Sequence, residues 1–240
     1  MCGRYTLDTP ANKLAKLFQA DLFESFKPRY NIMPTTKAPI VRINPETGKK
    51  ELVQVKWSMP FFDMKSKKYI YRLINAVGET ITEKKTFSKH FREDRCLVPT
   101  TGFYEWKAIT EKIKQPYFIS LKTNDTFAFA GIWGRWNMTV DDQETIIKKK
   151  KVNPKYEPQK EVVETFSIIT TTPNKIMSGI HNRMPVILDQ RNWDAWLNRS
   201  FQEEGSLKGF LRPYSDEKMQ AWPVKKLSGD TPDLIMKVKV

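Results

Sequence analysis

Cys2, in the opening stretch MCGRYT, is one of only two cysteines in 240 residues. Removal of Met1 would leave it with a free α-amine and a free thiol on adjacent carbons. Such a 1,2-aminothiol is a distinct reagent. The amine, with a reference pKa of about 7.7–8.0, keeps a useful neutral fraction near neutral pH. A neutral amine attacks an aldehyde to form an imine, and the neighbouring thiol can close on the imine carbon to give a five-membered thiazolidine. An aldehyde is the substrate this terminus suits.

Three further stretches carry residues that could serve such chemistry. In GFYEW, a strand would send Phe103 and Glu105 to one face and Tyr104 and Trp106 to the other. Glu105 would then be a carboxylate among aromatics, where burial raises its pKa toward acid–base work; the segment alone favours an ordinary outward-facing glutamate. His181, in SGIHNRMPVIL, sits on a loop between rigid elements, where functional side chains are often placed. Arg183 shares its side of an extended chain and adds a cation suited to phosphate, although a lone loop histidine is usually polar surface. Asn75, in INAVGET, reads by itself as a turn residue before a helix. His90, in FSKHF, reads as structural or surface, and Cys96, in RCLVP, as a small buried core residue. With two histidines and no CxxC or HExxH spacing, neither a metal site nor a cofactor is expected.

The elements that must position these residues follow from periodicity. LDTPANKLAKLFQADLF predicts a first helix capped by Thr9, with Pro10 in its first turn and a stripe of Leu14, Leu17 and Phe18. APIVRINPETGKKELVQVKWSM predicts a hairpin. GETITEKKTFSKHF predicts a helix, and RCLVP, GFYEWKAI, QPYFISLK and TFAFAGIWGRW predict a β meander through the middle of the chain. Residues 141–164 read as a charged surface insertion or extended hairpin; their lysine run, 148–151, is more often a solvated face than a nucleic-acid contact. Helices near DQRNWDAWLN and GSLKGFLRPY and a terminal strand at IMKVKV complete one α+β domain over 1–240.

Composition is that of an ordered protein: 40% hydrophobic, 12% aromatic and 28% charged. The formal charge of +14 favours polyanions, nucleic acid first, through counterion release. No run of about 18 apolar residues could span a bilayer, and no signal-peptide pattern opens the chain. No membrane partner is expected, and the location expected is the cytoplasm, with nucleoid association if the source is bacterial.

Taken together and in order, MCGRYT, PRYNIMPTTKAPIV, Trp57-Ser-Met-Pro, INAVGET, CLVPTTGFYEWK and IHNRMPVIL resemble the SRAP family, the SOS response-associated peptidase domains that covalently trap abasic sites in single-stranded DNA. The resemblance covers most of the chain up to Leu188. It implies a single domain with a central antiparallel, barrel-like, bifurcated β-sheet surrounded by helices, acting as a monomer. It implies that Cys2 forms a thiazolidine with the ring-opened deoxyribose and that Asn75 orients Cys2 and the sugar. Glu105 would open the ring and shuttle protons, and His181 would contact the opened sugar oxygen. Arg4, Asn31, Thr170 and Arg183 would hold the flanking DNA backbone. Three positions depart from the family pattern: Val77 stands where arginine is common, Ser58 where glycine usually follows the tryptophan, and Met33 where a small residue usually precedes Pro34.

Two other readings fit some of the same residues. Cys2 could be the nucleophile of an N-terminal cysteine peptidase, self-processing included, with its own amine as base. The chain could also be a non-catalytic single-stranded nucleic-acid-binding module in which Cys2 is incidental.

Overall fold

The strands at the centre of the fold are those whose apolar residues run almost unbroken, because they are covered on both faces. Arg95–Thr100 is buried at every position, and Lys37–Ile43 at five of seven. The computed structural model describes residues 2–63, 65, 68–139, 143–155, 157, 160–201 and 203–239. In it Lys37–Ile43, Lys50–Trp57, Arg95–Thr100, Phe127–Thr139 and Lys160–Thr171 form a ring. Ile40 pairs with Val53, Val41 with Leu97, Gly131 with Cys96 and Ile168, and the parallel pair Trp57 with Phe166 closes it. Four antiparallel pairings and one parallel one leave this five-stranded barrel without an open edge.

A second, fully antiparallel sheet lies against the barrel in the spatial order Met219–Pro223, Lys114–Leu121, Gly102–Ala108, Arg4–Leu7, Arg29–Ile32. Tyr5 joins the two, its ring meeting Trp57 at 5.2 Å and Phe129 at 6.1 Å, both edge-on, the arrangement that ring quadrupoles favour. This is the single α+β domain with a barrel-like sheet that the family resemblance implied. Short helices cover the outside: Phe18 of Ala11–Phe18 stacks on Trp193 of Trp193–Leu197 at 4.3 Å.

The meander expected in the middle of the chain is not what forms. Arg95–Thr100 pairs within the barrel, whereas Gly102–Ala108 pairs within the second sheet, so the chain changes sheet at Thr101. Local periodicity cannot register such a switch, which depends on distant partners. Gly102 permits it, since a Cβ there would lie 2.2 Å from the Phe118 ring. Three smaller corrections concern element ends. Thr9 does not cap the first helix; Pro10 precedes it, and the Thr9 hydroxyl bonds Thr126 instead. The helix expected from Gly78 is a 3-10 turn, Gly78–Thr80, followed by Lys85–Glu93. The C-terminal stretch forms a 3-10 turn, Pro232–Ile235, and a single bridge from Lys237 to Val224 rather than a strand. The strands flanking the lysine-rich excursion pair out to Thr139 and Lys160. The excursion includes a helix, Gln143–Val152, on which Lys148 to Lys151 are exposed; residues 140–142, 156, 158 and 159 lie outside those described.

Ser58 marks the joint at which the chain leaves the barrel. Its amide donates to the Phe166 carbonyl at 3.0 Å, holding φ at 140°, a conformation that favours glycine. Its hydroxyl is buried with no hydrogen-bond partner among the described residues. Ser58→Gly should therefore stabilise the protein by about 1 kcal/mol, the relieved strain and desolvation exceeding the entropy that glycine gains in the unfolded chain. Thermal unfolding would show this as a midpoint about 2–4 °C higher; a lower midpoint would contradict the strain.

Candidate active site

Cys2 stands just before Arg4–Leu7, and Glu105 lies on the adjacent strand, one residue beyond the Arg4–Tyr104 pair. Alternation on Gly102–Ala108 is as the sequence predicts. Phe103 enters the main core against Phe129 at 5.7 Å, and Tyr104 enters a second cluster against Phe118 at 5.3 Å. Glu105 shares Phe103's face and is only 2% exposed, so it is not the outward-facing glutamate its segment alone favoured. Burial raises its pKa. Cys2 is wholly buried, and its thiol pKa lies well above the usual value, first through burial and then through the charge of Glu105. Two acids that share a desolvated space disfavour each other's ionisation.

His181 reaches the same space from the loop after the short helix Lys175–Ser178, where its amide donates to the Met177 carbonyl at 2.7 Å. The Arg183 amide donates to His181 Nδ1 at 3.1 Å. Nδ1 is thus an acceptor, and in the neutral ring the proton belongs to Nε2. Nε2 lies 4.0 Å from Glu105 Oε2, so a proton-bearing nitrogen and a carboxylate face one another. Burial lowers the histidine pKa and favours that neutral form.

Asn75 begins the strand Asn75–Val77, which pairs in parallel with Ile168, Ile169 and Thr170 of the barrel. Its side-chain nitrogen is 3.5 Å from the Ile168 carbonyl, and its side-chain oxygen is buried with no partner among the described residues. An unsatisfied buried acceptor costs about 1–3 kcal/mol, which a donor on a ligand would recover. Asn75 also lines an open groove of about 460 Å³ with Phe61, Val77 and Phe87 along it and Arg72 and Lys84 as its cations. Arg72 and Lys84 supply positive charge close to Val77, the position where the family commonly has arginine.

The remaining expected contacts fall into two supported cations. Arg4 donates to the Asn31 side chain at 2.8 Å, and Asn31, nearly buried, donates to the Gly229 carbonyl at 2.7 Å. Arg183 forms a two-pronged pair with Glu79 at 2.8 and 2.7 Å and donates to the Thr170 carbonyl at 2.7 Å. Thr170 itself is fully buried, so Asn31 and Thr170 lie behind the arginines rather than beside them on the surface. Two acidic supports escaped the sequence reading. Glu79, its pKa lowered chiefly by the Arg183 hydrogen bond, follows four residues after Asn75 and could have been suspected from that spacing. Asp230 accepts the Tyr30 and Asn31 amides, at 2.5 and 2.9 Å, and no local signal marks it.

The other singled-out residues are structural. His90 bonds Asp94 at 2.9 Å and packs so closely on Gly134 that a Cβ there would lie 2.7 Å from its ring. Cys96 is buried, and burial pushes its thiol pKa up. Among the described residues no group of three or more His, Cys, Asp or Glu side chains is placed to hold a metal, and no helix is long and apolar enough to cross a membrane.

A family model described as SOS response associated peptidase (SRAP) matches residues 1–231. The abasic site processing protein YoqW of Bacillus subtilis (strain 168) is 35% identical over 242 residues, 98% of this chain and 99% of its own. The abasic site processing protein HMCES of Xenopus tropicalis is 27% identical over 69% of this chain and 52% of its own. Among solved structures, a Bacteroides thetaiotaomicron protein matches 99% of this chain and 100% of its own, with a TM-score of 0.78 and 24% identity.

With two histidines in the chain, the ring tautomer and charge at the site can be read directly by NMR. His181 should titrate below the ordinary histidine range, as the Nε2–H tautomer once neutral. The unfolded chain then binds more protons between the two pKa values, so this residue's contribution to stability rises with pH in that window and is lost below it. Titration at or above the usual value would remove the desolvated site.

Proposed function

The chain belongs to the SOS response associated peptidase (SRAP) family, and on that premise we propose that it captures abasic sites in single-stranded DNA as a thiazolidine on Cys2. The observation that carries this reading is the burial of Glu105 beside the Cys2 thiol, with Nε2 of His181 4.0 Å from its carboxylate. That trio fits a reaction whose every step moves a proton. It acts as a monomer, as sensor and protector of the lesion, wherever the cell keeps its DNA.

Hydrolytic removal of Met1 frees the Cys2 amine. Glu105, with its raised pKa, delivers its proton to the sugar ring oxygen as the ring C–O bond breaks and takes back the proton of the anomeric hydroxyl, so that the deoxyribose opens to its aldehyde and the acid is restored. The neutral amine then adds to the aldehyde carbon, and loss of one water gives the imine. The thiol adds to the imine carbon, its proton ending on the nitrogen, and the ring closes. Amine, thiol and aldehyde thus become thiazolidine and water with no oxidant or cofactor. His181 donates from Nε2 to the released sugar oxygen, and the orphaned oxygen of Asn75 accepts from the amine, so that each is oriented by a group already in place. The carbon that would otherwise drive strand cleavage by elimination is held in a ring.

The raised pKa of the Cys2 thiol favours this reading over a thiol peptidase. A cysteine held as the neutral thiol is a poor first nucleophile, whereas here the amine attacks first and the thiol follows. A non-catalytic binding module would have no use for Asn75, Glu105 and His181 as they are arranged.

Protein whose loss of Met1 is confirmed by mass, mixed with a single strand carrying one abasic site, should give a slow band on a denaturing gel. Its mass should equal protein plus DNA less one water. Cys2→Ala and an intact-base strand should give none, and Cys2→Ser should lose the stable ring. Absence of the band from processed protein would sink the reading. Glu105→Gln should slow adduct formation by about 10²-fold or more while leaving strand binding in place. An unchanged rate across pH would deny Glu105 its proton-transfer role.

A further inference from the structure

The first helix ends at Phe18, short of the Gln-Ala-Asp-Leu-Phe run that the sequence places at its end. Gln19 turns left-handed at φ 52°, and its amide and that of Ala20 close on the carbonyls of Lys16 and Ala15. Asp21 and Leu22 then pair in parallel with Glu51 and Leu52 as the outermost strand of the barrel's sheet. Phe18 and Phe26 pack into the core on either side. Between these two anchors every residue but Ala20 is exposed, Leu22 at 36% and Phe23 at 70%. Phe23 is the only exposed aromatic side chain among the described residues. Folding has no use for an open Leu-Phe pair at a strand edge, a place that proteins usually cover or charge. Asp21 and Glu24 flank the pair, and among the described residues neither forms an ion pair.

We infer that Gln19–Phe23 is a docking peptide, whose Leu22 and Phe23 enter a preformed apolar cleft on a partner protein with a cationic rim. The partner is a ring-shaped clamp that encircles DNA, a protein whose surface cleft takes peptides of the Gln-x-x-Leu-Phe spacing. Recognition of this kind draws its affinity from apolar anchors at fixed spacing. Gln19 adds an amide that can both donate and accept at the edge of the cleft. Asp21 and Glu24 are a local reversal of charge in a chain of +14, which a polynucleotide would repel and a cationic rim would attract. The inference rests on the proposed capture reading only for why the partner is carried on DNA. Leu52, beside Leu22, lies five residues from Trp57, about 17 Å along the strand. The Trp57 indole in turn donates to the Ile74 carbonyl, next to Asn75. A partner seated on Leu22 and Phe23 therefore leaves the pocket open to a strand.

The test uses a purified bacterial replication clamp with no DNA present, so that capture plays no part. Binding of the clamp to labelled wild-type protein and to Leu22→Ala/Phe23→Ala is followed by fluorescence anisotropy. Both side chains are exposed and outside the catalytic trio, so the variant should keep the wild-type unfolding midpoint and the adduct yield on an abasic strand. Its affinity for the clamp should fall by about 10²-fold or more, two apolar anchors being lost from a cleft. Gln19→Ala should weaken binding by about tenfold, one buried hydrogen-bonding group being lost. A synthetic peptide of residues 19–26 should displace the wild-type protein, and the same peptide with alanine at both anchors should not.

Undiminished clamp binding by the double variant, or failure of the peptide to compete, overturns the docking peptide. Absence of binding by the wild type overturns the clamp as its partner. Self-association of the wild type in sedimentation, abolished by Leu22→Ala/Phe23→Ala, overturns it in favour of a contact between copies of this chain. Failure of the wild type to form an adduct, with anchor-dependent clamp binding intact, would refute the capture reading and uphold the docking peptide.

Discussion

The constraint on which the rest of the structure depends is the exclusion of water from Glu105. A carboxylate taken out of water favours its neutral form, and the same desolvation acts on the Cys2 thiol beside it and on the His181 ring facing it. Three groups whose ordinary pKa values are widely separated are thereby biased toward their uncharged states within one small space. Protons exchanged among groups biased in this way would leave no lasting buried charge, a condition that suits acid–base chemistry near neutral pH.

Keeping water out requires that the three come from elements that cannot drift apart. Cys2 directly precedes the strand Arg4–Leu7 and Glu105 lies on its neighbour Gly102–Ala108, both in the second sheet, which is tied to the barrel through Tyr5, Trp57 and Phe129. His181 hangs from a loop whose next strand, Met184–Pro185, pairs with the barrel strand Lys160–Thr171. That barrel strand also holds Asn75 by parallel pairing and closes the ring at Trp57. One strand therefore sets the relative positions of Asn75 and His181.

The two arginines near the site follow a common plan. Each is held by a neutral support and steadied by an acid: Arg4 by Asn31, which Asp230 fixes through the backbone, and Arg183 by Thr170 and directly by Glu79. A cation held in this way pays little further ordering entropy when an anion arrives. Glu79 also keeps Arg183 from carrying a buried unpaired charge in the free protein.

Legibility in the sequence divides along the range of the forces involved. The strands in the middle of the chain, the first hairpin and the facing of Phe103, Tyr104 and Glu105 follow from alternation, which acts between neighbours, and the sequence determined them by itself, whereas the strand at Asn75–Val77 is not legible and the one expected at IMKVKV does not form. It also determined the chemical types that could react: an amine and thiol at Cys2, a carboxylate among aromatics, a lone loop histidine. The family motifs joined these into one site before any fold was considered. Tertiary structure alone decided that the chain changes sheet at Thr101, that Glu105 is buried rather than exposed, and that Nε2 of His181 carries the proton. It also decided that Asp230 and Glu79 support the arginines. Each of these depends on a group brought near by chain closure from far along the sequence, and desolvation in particular belongs to no residue until its neighbours have arrived.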